Sequence, residues 1–139
     1  QAAADLLELI FQNVAWTNIG DAGGLLGSST AGSLYVSLHT ADPGETGDQT
    51  TSESAYTNYA RVSVARSTAG WSVASGVADN DAAITFPLCG VTGSTITHCG
   101  IGSDASAAGN RFMNGTASLA VSVGITPQFA AGALDISLG

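Results

Sequence analysis

Residues 33–40 read SLYVSLHT, and their alternation decides the fold. In an extended chain Leu34, Val36 and Leu38 fall on one side, and Tyr35, Ser37 and His39 on the other. The same alternation returns in YARVSVAR (59–66), where Val62 and Val64 point inward. AAITF (82–86) pairs Ile84 with Phe86 on one face, and Pro87 ends it. STITHCGIG (94–102) sets Ile96 and His98 against Thr97, Cys99 and Ile101. SLAVSVGI (118–125) aligns Leu119, Val121 and Val123, and QFAAGALDISL (128–138) aligns Leu134, Ile136 and Leu138. WSVASGV (71–77) reads as a short strand or the approach to a turn, and SDASAAGN (103–110) as a glycine-rich turn before RFMNG. Asn114–Gly115 is a hairpin signal, a better reading than the glycosylation sequon it formally opens.

Only residues 3–15 carry a helical period. Leu6, Leu7, Ile10, Phe11 and Val14 make one apolar face, and Asp5 and Glu8 lie early, where the helix dipole favours acids. A turn-rich stretch, GDAGGLLGSSTAG, then separates this segment from the strands. One helix followed by seven or eight short strands predicts a mainly β fold, an antiparallel β-sandwich or jelly-roll-like barrel. The expected organisation is one domain over 1–139, with a helical arm at 1–20 and the sandwich at 33–138. The loop between the first two strands, Ala41–Asn58, holds Asp42, Glu45, Asp48 and Glu53 and no cation. Loops of that length often carry function.

Composition narrows the function. Gly, Ala, Ser and Thr supply 71 of 139 residues, charged residues are 10%, and lysine is absent. Arg61, Arg66 and Arg111 face eleven carboxylates, for a net charge of −8. So few cations exclude a nucleic-acid backbone as partner. No apolar run reaches the length of a membrane span, and the opening QAAADLLELIF, acidic and without a basic region, does not read as a signal peptide.

Catalytic and metal chemistry have thin support. Of the two histidines, His39 has Asp42 within three residues, and no GxSxG elbow accompanies the serines. His39, His98, Cys89 and Cys99 lack the paired spacing of a zinc site. Adjacent His98 and Cys99 point to opposite sides of a strand. Asp79, Asn80 and Asp81 resemble a sparse calcium loop without its glycine and terminal glutamate. The expectation is no cofactor and no metal. Cys89 and Cys99 read as buried thiols, with a bridge between adjacent strands left open. Tyr56, Tyr59 and Trp71 are the only aromatics at hand for a carbohydrate-binding groove.

The series LHT (38–40), DPGE (42–45), YARV (59–62), FP (86–87) and THCGI (97–101), closed by ITPQFAAGALDISL, resembles small tailed-phage virion proteins of the tail-fibre-like or minor tail type. The resemblance spans roughly residues 33–138. Cys99 stands where that family more usually carries a larger apolar residue. The resemblance implies a non-enzymatic structural protein of the virion, made in a bacterial cytoplasm, with no catalytic residues. Its implied partners are the major capsid protein or tail proteins. On this reading a capsid decoration or cement protein leads, ahead of a tail-fibre or baseplate-associated protein and a receptor- or carbohydrate-binding module.

A surface so poor in charge exposes neutral patches of the kind that mark interfaces, which predicts a homo-oligomer, trimer favoured. The candidate contact residues are Leu6, Ile10 and Phe11 on the helix, then Asp42, Pro43, Glu45, Tyr56 and Tyr59 on or beside the long loop. For the helix the competing reading is packing on its own sheet.

Overall fold

The computed structural model describes residues 1–17, 19–20 and 23–138. Positions 21 and 22 of the turn-rich stretch lie outside the described residues. The chain is mainly β, with antiparallel sheets and one N-terminal helix, as the alternation predicts. It forms two compact units, one of residues 1–33, 64–84 and 129–139, the other of 34–63 and 85–128.

In the first unit, helix α1 (Ala2–Gln12) buries Leu7 and Phe11. It packs on the hairpin of β3 (Trp71–Ala74) and β4 (Val77–Asn80), and Phe11 meets Trp71 edge to face, ring centroids 4.7 Å apart. The helix stops three residues short of the predicted end because Asn13 turns left-handed (φ 60°). The Asn13 amide donates to the Ser28 carbonyl at 2.9 Å and accepts from the Ser28 N–H at 2.6 Å. Val14 therefore leaves the apolar face and is exposed. Arg66 donates to the carbonyls of Leu9 and Ile10, satisfying acceptors the last helical turn leaves open.

WSVASGV and the residues after it make two strands, joined at Ser75 (φ 53°) and Gly76 (φ 77°), the paired positive φ of a tight hairpin turn. β9 (Ile136–Ser137) joins β4 on its other side. Asn80, fully buried, donates to the carbonyls of Ala82 and Ala130 and accepts from the Leu134 N–H. Its amide is thus spent on structure.

The second unit centres on β6 (Ser94–Gly102), which pairs antiparallel with β1 (Ser33–His39) and with β7 (Arg111–Val121). β2 (Val62–Ala65) completes the sheet order β2-β1-β6-β7. β5 (Ile84–Thr85) and β8 (Gln128–Phe129) form a two-stranded sheet.

Two local readings change. Asn114–Gly115 is not a hairpin turn. It lies inside β7, opposite Gly100 and Cys99, and neither residue takes the positive φ a tight turn needs. Pairing with β6 holds it extended, so RFMNG and SLAVSVGI form one strand that stops at Val121. β6 also breaks strict alternation: Ile96 is buried, and so are Cys99 and Ile101. From Cys99 to Gly102 every residue is buried, so both faces of β6 are covered there, and a register shift between Ile96 and His98 sets Thr97 against two residues of β7.

Candidate functional site

The long acidic loop is braced at several points within the second unit. Its last residues return along β1: the Thr40 N–H donates to the Ser52 carbonyl and the Ser54 N–H to the Leu38 carbonyl, both at 2.8 Å. Gln49 is fully buried; its N–H donates to the Ala108 carbonyl and its Oε1 accepts the Asp104 N–H. The Asp48 carboxylate accepts from the N–H and hydroxyl of Thr50, the main reason its acidity lies on the strong side of the usual carboxylate range.

Two arginines tie the loop down. Arg61 forks onto Glu53, Nε to Oε1 at 2.7 Å and Nη2 to Oε2 at 2.8 Å, and also donates to the carbonyls of Asp104 and Ala107. Arg111 donates to the carbonyls of Gly44 and Gly47 and to the Asn114 side chain. With Arg66 on the helix end, every cation of this chain acts as an internal brace. The available signal is scarcity: three arginines and no lysine against eleven carboxylates leave each one a candidate anchor.

Ser37 and His39 form a buried arrangement that resembles a nucleophile and its base. Ser37 Oγ lies 2.8 Å from His39 Nε2, and His39 Nδ1 lies 2.9 Å from the Thr51 carbonyl oxygen. A carbonyl only accepts, so Nδ1 carries the proton and Nε2 accepts from the serine. Both side chains are fully buried. Burial holds the imidazole below its ordinary pKa, partly offset by the Thr51 bond. Asp42, the acid proposed beside His39, bonds instead to the Gly44 N–H. Gly100 makes the pair possible, for a Cβ there would sit 2.8 Å from His39 Nε2 and 2.9 Å from Ser37 Oγ.

The predicted contact residues separate by burial. Asp42 and Glu45 are exposed, Leu6, Ile10 and Tyr59 half-buried, and Phe11, Pro43 and Tyr56 buried. Tyr59 donates to Glu53 Oε1 and accepts the Leu38 N–H; burial pushes its pKa far up. Tyr56 donates to the Pro87 carbonyl. With Tyr56 and Trp71 both inside the fold, these aromatics line no open groove.

Among the described residues no three His, Cys, Asp or Glu side chains gather around a metal-sized point. Cys89 and Cys99 are free, buried thiols, and burial raises the pKa of Cys99. No helix among the described residues is long and apolar enough to cross a membrane.

The chain is mainly β with its three arginines spent as internal braces, and comparison with known families gives its class. Residues 2–137 match the family described as Podophage GP4 fiber I protein gp80, and the chain belongs to that family. It is a tailed-phage virion protein of the tail-fibre-like kind that its motifs resemble. No curated protein matches it.

Proposed function

We propose that this chain is a non-enzymatic structural subunit of a podophage fibre, assembled with other fibre or tail proteins of the particle. The family match over nearly the whole chain carries this reading. The buried Ser37–His39 pair, already committed to the loop, supports a structural role over hydrolysis. The exposed acids Asp42 and Glu45 stand on a braced platform, which suits a fixed docking surface more than a lid. The resemblance read from the sequence ranked a capsid decoration protein ahead of a fibre protein; the family's description supports the fibre.

Immunogold labelling of intact particles tests this. Label confined to the fibres, at low copy number, is the expected result. Label covering the shell would overturn the fibre reading in favour of decoration, and turnover of an ester or glycoside by the purified chain, lost in His39→Ala, would overturn the non-enzymatic one.

A further inference from the structure

Charge is segregated within the second unit. No charged residue occurs between Asp81 and Asp104, and none between Arg111 and Asp135. At one end of the β6–β7 pair Gly102 faces Arg111, and there Asp104, Arg61 and the acidic loop collect. At the other end Ser94 faces Val121. Beyond it, residues 88–91 and 123–125 bond to each other, Cys89 N–H to the Ile125 carbonyl at 2.9 Å and Gly124 N–H to the Cys89 carbonyl at 3.0 Å. These segments expose Leu88, Val91, Val123 and Ile125, Val91 by 84%.

β7 connects the two ends as the margin of its sheet. It pairs with β6 on one side and, among the described residues, with no strand on the other. It is 11 residues long, without proline, and uncharged after Arg111. Phe112, Asn114, Thr116, Ser118 and Ala120 stand exposed along it. Edges of this length are ordinarily blunted by lysine, proline or inward charge; this one has only two register shifts against β6, one near each end.

We infer that two copies of this chain join through β7, strand to strand and antiparallel across a two-fold axis. The edge of an antiparallel ladder is self-complementary under such an axis, since each N–H meets the partner's carbonyl. Electrostatics selects a second copy as occupant. Two chains of net charge −8 repel; contact through this strip brings in one carboxylate, Asp42, which accepts from the Asn114 amide at 3.5 Å, and leaves the strand itself uncharged beyond Arg111. A basic partner would be drawn to the loop instead. The inference deepens the fibre reading and rests on it for more than one copy per particle, but its test is independent of particle labelling.

Sedimentation of the full chain should give twice the chain mass at high micromolar concentration. The Thr116→Lys/Ser118→Lys pair puts like charges opposite each other across the axis and should weaken association about tenfold or more. Thr46→Lys, on the exposed loop, should leave it unchanged. A scan of Asn114→Cys, Thr116→Cys and Ser118→Cys, which asks little of folding, should give a disulfide-linked dimer at the position nearest the axis. A monomeric wild type, a trimer, a dimer indifferent to the lysine pair, or cross-linking no better than Thr46→Cys would each overturn the pairing. A chain that stays monomeric yet labels fibres defeats this inference alone; a chain that pairs yet labels no fibre defeats the function alone.

Discussion

Arg61 grips Glu53 with two parallel hydrogen bonds, at 2.7 and 2.8 Å, and the arginine side chain is only 2% exposed. A planar guanidinium matched to a carboxylate is the strongest geometry a side-chain ion pair offers. Here it joins the end of an irregular loop to the strand region that follows it, while two further donors of Arg61 reach the 103–110 turn.

Breaking this pair leaves a largely buried charge behind. Arg61→Ala or Glu53→Gln should cost about 3 kcal/mol of stability, and Arg61→Lys, which keeps the charge but loses the fork, about half of that. Urea denaturation followed by tryptophan emission measures both. A loss below 0.5 kcal/mol, taken as roughly the level of a neutral surface change, would show that the loop stands without the brace.

Acid should loosen the same region through His39. Burial lowers its folded-state pKa, so as pH falls the unfolded chain binds a proton before the folded one does. The stability from neutral His39 is therefore complete above the ordinary histidine value of about 6.5 and is lost below it, at up to about 1.4 kcal/mol per pH unit. Denaturation midpoints from pH 8 to pH 5 (about one and a half units either side of that value) should fall in the wild type. They should stay flatter in His39→Gln across the same window. Asp48, held on the strong-acid side chiefly by Thr50, adds a second loss only in the lower carboxylate range.

Gly100→Ala should destabilise by about 1–3 kcal/mol, the usual range for overpacking. The added methyl meets two side chains already hydrogen-bonded to each other. Relief by a second change, Ser37→Gly, would confirm that the clash lies at this pair; thermal melts of the single and double variants decide it.

The helix gives a fourth test. Phe11→Ala removes a fully buried ring stacked edge-on to Trp71 and should cost about 3–5 kcal/mol. Val91→Ser, at an exposed site, should shift stability by less than about 0.5 kcal/mol. Equal effects would mean that the helix contributes little to its unit.

Much of the architecture was readable one strand at a time. SLYVSLHT and STITHCGIG alternate strongly enough to be recognised alone, and both are strands. Asn114–Gly115 misled because the dipeptide favours a turn in isolation, and only the facing β6 residues hold it straight. The loop was legible as long and acidic, but its rigidity was not. Its anchors Arg61, Gln49 and Arg111 act across gaps in sequence that no local period encodes.

Alternation, composition and ordered motifs by themselves determined a mainly β virion protein with one helix, because such signals depend on neighbours along the chain. Tertiary structure alone decided that His39 is sealed against Ser37 beneath the loop, that the arginines are braces, and that β7 runs unbroken to the margin of its sheet. These depend on which distant residues meet, and hydrogen-bond pairing between strands, rather than local preference, settles that.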